Sequence, residues 1–107
     1  MFNIFLNVFF NFEKASPVWN IKPSDSEEEI EKSIKFRCEA FAKPSPIYLW
    51  TKNGQALNND RYSINPQGNE LTISSLKIED IARYSCIAEN FKGRIEAFFK
   101  LNVLGKI

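Results

Sequence analysis

The side chains able to do covalent chemistry in this sequence are few and far apart. Cys38 and Cys86 are the only thiols. They are too distant for a C-x-x-C redox motif, and too few for a zinc site in a chain without histidine. A structural disulfide or two buried thiols remain as readings. Joining them would close a loop of about fifty residues, worth roughly 4 kcal/mol on the chain-entropy account, and would place the protein in an oxidising compartment. The lack of histidine also removes the usual general base at neutral pH and any Ser-His-Asp or Cys-His arrangement. Ser85 therefore has no base, and neither do Tyr48, Tyr62 and Tyr84. Asp60 and Glu70 carry no sign of a paired-carboxylate site. The acidic run SDSEEEIEK, from Ser24 to Lys32, has consecutive carboxylates where a calcium loop needs spaced ones. It reads as a solvated edge and turn. The expectation is a protein without enzymatic activity, cofactor or metal.

The elements that would carry these residues are short strands. The 107 residues suit one domain, and 44% apolar with 25% charged residues suits a packed core. A net charge of +1 without a basic run argues against nucleic acid as a partner. Residues 1–15 stand apart as an intensely apolar leader, MFNIFLNVFFNF followed by EKA. The run is too short to span a bilayer. It reads either as the core of a secretory signal, though no Lys or Arg precedes it, or as an artefactual, truncated start. Phe5, Phe9 and Phe12 are expected to pack poorly on the domain that follows.

From residue 16 to 105 the pattern is period-two alternation. VWNIKP suits an edge strand. In SIKFRCEA, Ile34, Phe36, Cys38 and Ala40 point one way and Lys35, Arg37 and Glu39 the other. PIYLWTK puts Tyr48 and Trp50 on one face, and Asn53-Gly54 marks a type I′ hairpin turn. RYSIN is a short strand. NELTISSL sends Leu71 and Ile73 inward, and ARYSCIAEN does the same with Tyr84, Cys86 and Ala88. In RIEAFFKLNVL, Ala97, Phe99, Leu101 and Val103 face inward, leaving Phe98 outside with Arg94, Glu96, Lys100 and Asn102. LKIEDIA suits a single helical turn. Seven or eight such strands predict an all-β sandwich of two sheets.

In such a sandwich, a disulfide between inner positions of facing strands would pin the sheets, and a tryptophan on a neighbouring strand would cover the sulfurs. Cys38, Trp50 and Cys86 stand in the order this needs. In DIARYSC, Tyr84 precedes the second cysteine by two residues, as a tyrosine whose hydroxyl bonds upstream backbone does. Arg61 is a plausible salt-bridge partner for Asp80.

These motifs, CEAFAKPSP leading to Trp50, then KNGQAL, LTISSL, DIARYSC and CIAENFKG, resemble an immunoglobulin domain of the I-set over more than eighty residues. PVW, KNGQAL and CIAEN are also similar to domains of contactin-type neural adhesion proteins. The resemblance implies a Greek-key sandwich stapled by Cys38–Cys86, with Trp50, Tyr84, Asp80, Arg61 and Leu71 as its signature. Glu31 and Ala42 depart from it, since such domains usually have Gly there, at positions taken to be tight turns. No N-x-Ser/Thr glycosylation sequon occurs: Asn58 and Asn59 lead into Asp60 and Arg61.

The implied function is an extracellular recognition or adhesion module at the cell surface or secreted, one domain of a longer protein. It would bind other cell-surface or matrix proteins, or a second copy of itself, and would adjoin further immunoglobulin or fibronectin-like domains. No membrane span or lipid-anchor signal follows Val103. Phe91, Phe98 and Arg94 are the candidate binding residues, with Phe41 also at an outward position. The alternatives are an intracellular module of the muscle type with reduced cysteines, and a small secreted single-domain binding protein.

Overall fold

A computed structural model of the protein describes residues 14–57 and 60–105. The expectations for Phe5, Phe9, Phe12, Asn58 and Asn59 lie outside the described residues. Among the described residues ten strands form: β1 (Ala15–Ile21), β2 (Ser26–Glu29), β3 (Ile34–Arg37), β4 (Glu39–Lys43), β5 (Ile47–Lys52), β6 (Gln55–Ala56), β7 (Tyr62–Ile64), β8 (Glu70–Ile73), β9 (Ala82–Asn90) and β10 (Gly93–Leu104). A 3-10 turn at Ile78–Asp80 enters β9, the single turn expected of LKIEDIA. The first strand begins at Ala15, one residue inside the segment read as leader.

The strands build two layers. In one, β1 pairs with β4, and β3 pairs with β8, which pairs with β7. Only Cys38 separates β3 from β4, and its N–H donates to the Asn69 carbonyl at 3.0 Å, so the two ladders are continuous through it. The other layer has the order β2-β10-β9-β5-β6, antiparallel except where β2 runs parallel to β10. This exceeds the seven or eight strands expected for reasons of pairing. The acidic run contributes β2 at a sheet edge, SIKFRCEA divides between two partners, and β6 is only a two-residue hairpin arm. At its turn, Asn53 and Gly54 both have positive φ, 51° and 84°, as a type I′ turn demands.

Alternation decides what is buried. Phe36, Cys38, Ala40, Trp50, Leu71, Ile73, Tyr84, Cys86, Ala88, Ala97, Phe99, Leu101 and Val103 all face the space between the layers and are buried. Cys38 and Cys86 are bonded across it, with Cα atoms 6.7 Å apart. Trp50 is the cross-strand neighbour of Cys86, and its indole N–H donates to the Gly68 carbonyl at 2.7 Å. Phe99 gathers the other rings. Its centroid lies 4.4 Å from Phe36, 5.7 Å from Tyr84 in a stacked pair, and 6.1 Å from Trp50 edge-on. Tyr48 spans the layers, its hydroxyl accepting the Ala40 N–H at 3.0 Å.

One end is closed by charge. The Tyr84 hydroxyl donates to the Asp80 carbonyl at 2.6 Å, and burial pushes its pKa up. The Asp80 carboxylate is buried and receives both Arg61 nitrogens, Nη1 at 2.6 Å and Nη2 at 3.0 Å, and the Lys77 N–H at 2.9 Å. Arg61 Nη2 also donates to the carbonyls of Ser74 and Ser75. Burial by itself would raise the Asp80 pKa. The Arg61 and Lys77 hydrogen bonds and the neighbouring positive charges outweigh it and hold the pKa below the ordinary carboxylate value.

Of the two positions expected as glycine turns, one is a turn. Glu31 has φ 75°, a region that costs a side-chain-bearing residue about 1–2 kcal/mol. Ala42 corrects the other expectation: it is a buried residue inside β4, so a small side chain is needed there for packing and no turn occurs.

Two stability outcomes follow from this geometry. Asp80→Asn should lower unfolding free energy by about 2–3 kcal/mol, less than for a fully buried pair because Arg61 remains partly in water. A depressed folded pKa means the contribution is complete above the unfolded value near 4 and is lost as pH falls below it. Denaturant unfolding of both proteins at pH 7 and pH 3 should therefore show the gap narrowing in acid; a constant gap would count against the ion pair. Glu31→Gly should raise stability by up to ~1 kcal/mol. A lower denaturation midpoint would mean that the Glu31 side chain contributes more than its backbone strain costs.

Candidate functional site

Three strands of the five-stranded sheet, β5, β9 and β10, turn a second face to solvent. Register places their outward residues in rows. Ile47, Glu89 and Arg94 form the first; Leu49, Ile87 and Glu96 the second; Thr51, Ser85 and Phe98 the third; Arg83 and Lys100 the last. Since alternation commits Tyr48, Trp50, Tyr84, Cys86, Ala97 and Phe99 to the core, each intervening residue has to point out.

This face is unusual in two respects. Large apolar side chains stand out on both sides of β9: Ile47 is 70% exposed, Leu49 47% and Phe98 51%. Beneath them Ile87, Thr51 and Ser85 are buried although they lie on the outer side. The two hydroxyls are paired internally. Ser85 donates to Glu96 Oε2 at 2.7 Å, and Thr51, 2.7 Å from Ser85, supplies the remaining proton to the Ser85 oxygen. The small polar residues thus lie satisfied among larger neighbours. Ser85, buried and bonded to a carboxylate, is no exposed nucleophile.

The second respect is charge. On the outer side of the opposite layer, charges are used up locally: Lys35 pairs with Glu70 at 3.8 Å and Arg37 with Glu39 at 3.7 Å. Among the described residues, Arg83, Glu89, Arg94, Glu96 and Lys100 take part in no ion pair. Even Glu89 and Arg94, directly opposed across β9 and β10, do not meet. Arg83 instead lays its guanidinium over the Phe98 ring, 4.0 Å from the centroid. Below this face an open hollow of about 650 Å³ runs towards β2, with Asp25 and Glu27 among its lining residues and Arg83 and Lys100 facing it from β9 and β10.

The sequence-predicted binding residues do not all converge here. Phe98 sits within the face and Arg94 at its corner. Phe91, 68% exposed, lies outside it in the turn between β9 and β10, with Lys14 Nζ 5.8 Å from its ring. It borders a separate shallow groove of about 350 Å³ with Pro44 and Ile47. Asn90 holds that end together, its amide donating to the carbonyls of Ala15 at 2.9 Å and Pro44 at 3.1 Å. Phe41 is exposed on the opposite layer beside Val18. Cys38, Cys86, Trp50, Tyr84 and Leu71 lie in the core, and Arg61 and Asp80 close its end. Ile47 and Leu49 were missed, although the alternation that sends Tyr48 and Trp50 inward already assigns both outward. Among the described residues no group of acidic, histidine or cysteine side chains is placed to hold a metal, and no helix is long and apolar enough to cross a membrane.

Comparison with known proteins agrees with this architecture. The immunoglobulin domain family model matches residues 16–90. Contactin-3 of Rattus norvegicus is 39% identical over 90 residues, covering 84% of this chain and 9% of its own length. Neural cell adhesion molecule 1 of Gallus gallus is 32% identical over 108 residues, covering 90% and 10%. The chain thus spans about a tenth of these relatives. Among solved structures, a Sidekick-1 fragment of immunoglobulin domains 1–4 is 28% identical with a TM-score of 0.78, covering 84% of this chain and 24% of that one. A chain of the titin M10–obscurin-like 1 Ig complex superposes with a TM-score of 0.81 at 24% identity, covering 87% and 98%, a likeness of fold alone. The two facing sheets, the Cys38–Cys86 bond beside Trp50 and the matched family model together show that this chain belongs to the immunoglobulin domain family.

Proposed function

We propose that the protein is a non-enzymatic, extracellular protein-recognition module of the cell-adhesion type, one domain of a longer cell-surface chain, with residues 16–105 forming the domain. The carrying observation is the outer face of β5, β9 and β10. Exposed apolar Ile47, Leu49 and Phe98 share it with charges on β9 and β10 that, among the described residues, have no ion-pair partner, the mixture of apolar and charged side chains that a protein interface uses. A named adhesion molecule among the relatives supports the same reading, and so does the disulfide, which persists in oxidising compartments.

The intracellular muscle-type alternative draws on the titin likeness, and redox state separates the two. Non-reducing peptide mapping of the protein from its native source should recover Cys38 linked to Cys86; free thiols would favour the intracellular module.

Recognition is tested on the face itself. The full chain, immobilised on beads, is expected to bind cells displaying its partners. Leu49→Asp or Phe98→Asp should reduce that binding at least tenfold, since a buried anchor residue is commonly worth about 2 kcal/mol or more. Both positions are exposed, so the midpoint of thermal unfolding should move little. Undiminished binding by both folded variants would remove this face from the proposal.

A further inference from the structure

The outward residues of β9, the middle strand of the candidate face, read Arg83, Ser85, Ile87, Glu89: a cation at one end, an anion at the other, and two buried uncharged residues between. That order is antisymmetric along the strand. We infer that the face pairs with the same face of a second copy of this chain, related by a two-fold axis lying across the strands, so that the two β9 strands run antiparallel. The inference rests on the recognition reading above and names its partner.

The axis exchanges the first row with the last. Arg83 of each copy then meets Glu89 of the other, twice, while Ile87 lies against Ser85. On β5, Leu49 meets Thr51. On β10, Glu96 comes over Phe98 of the other copy, whose ring already carries Arg83 at 4.0 Å, so each Glu96 gains a facing cation. One contact opposes the arrangement: Arg94 meets Lys100 along the outer column. Both are long, exposed side chains at the rim, where like charges can splay into water and cost little. A two-fold axis parallel to the strands would instead put Glu89 on Glu89 and Arg83 on Arg83 at the centre, which is worse. Every charge facing the pairing surface from β5, β9 and β10 is included here, and none has an ion-pair partner among the described residues of its own copy.

Scale sets the strength. Three strands about 4.8 Å apart and four rows about 7 Å apart present on the order of 400 Å². Specific stable interfaces use about 800 Å² per partner. Pairing through one domain should therefore be weak, with a dissociation constant of roughly 0.1–1 mM, and would gain by repetition along a surface. Antiparallel strands also point the two chains in opposite directions, as proteins reaching across from facing surfaces would be.

Sedimentation of the full 107-residue chain from about 10 μM to about 1 mM tests this on the concentration scale expected for such an interface. The wild type should show a reversible monomer–dimer equilibrium. Arg83→Glu alone and Glu89→Arg alone should each weaken it at least tenfold, since either places like charges in contact twice. An equimolar mixture of these two variants should restore association, because only the mixed pair has opposite charges at both ends. Lys35→Ala, on the opposite layer, should change nothing. A wild type that stays monomeric, or variants that associate as well as wild type, would overturn the inference, as would a mixture that fails to recover. If cell binding by the beads still falls on Leu49→Asp in those cases, recognition of a different protein stands and only self-pairing is lost; if it does not fall, both readings fail.

Discussion

The bond between Cys38 and Cys86 joins the two layers through their interior, and the packing around it follows from that fixed spacing. Facing sheets lie about 10 Å apart, so the aromatic side chains near the sulfurs have to interleave between layers. Phe99 does so against Phe36 from one sheet and Tyr84 and Trp50 from its own. Trp50 can lie beside Cys86 only because β5 and β9 pair in a register that makes them neighbours. Tyr84, two residues earlier on β9, then reaches the Asp80 carbonyl, and Asp80 in turn anchors Arg61. The sulfurs, the indole, the phenol and the ion pair thus form one connected chain of constraints running from the middle of the sandwich to one end.

That chain fixes the outer face as well. With β9 held on both sides by β5 and β10, and its inner residues committed to the core, its outward residues have no freedom of placement. The centre of a three-strand face is crowded by its own neighbours, which is why Ser85, Thr51 and Ile87 are buried on the side facing water. A buried hydroxyl without a partner would cost about 1–3 kcal/mol. The Thr51–Ser85–Glu96 series avoids this because each hydroxyl donates to the next member, and the series ends on a carboxylate that still reaches solvent. Small satisfied residues at the centre leave Leu49, Ile47 and Phe98 standing around it.

Much of this was legible in the sequence because alternation is a local property. The inward residues named from period two are buried, except Ile34 and Tyr48, which are half-buried at the margin of the core; the type I′ turn falls at Asn53-Gly54, and the spacing of Cys38, Trp50, Tyr84 and Cys86 carried the architecture. What was not legible is non-local. Nothing within SEEE says that this acidic segment will run parallel to the end of β10, because the hydrogen bonds that make it a strand come from residues 75 positions away. The break at Cys38 reflects a change of partner strand, which the alternation passes through unaltered. Ala42 makes no turn, because glycine can be favoured at a position for its small size as well as for its φ, and Ala42 is a buried site inside β4. Phe91 and Phe98 looked alike as outward phenylalanines. Pairing sends one to a turn and the other to the middle of a face.

A fold of this kind does not choose its function, because its core requirements are met by any sequence that supplies a pinned pair of sheets and an aromatic filling. Whatever distinguishes one such domain from another has to be written at positions the core leaves unconstrained. On β5, β9 and β10 those are the odd-numbered residues from Ile47 to Thr51 and from Arg83 to Glu89, and the even-numbered ones from Arg94 to Lys100, set by register into one surface. The opposite layer settles its outer charges internally through Lys35–Glu70 and Arg37–Glu39, leaving little for a partner to satisfy. On the candidate face, among the described residues, the charges of β9 and β10 have no ion-pair partner and stand beside exposed apolar side chains. Removing those apolar side chains from water, with opposite charges brought beside them, is favourable only when another surface arrives. The same register that makes the core therefore also determines which side chains stand open on the outer surface.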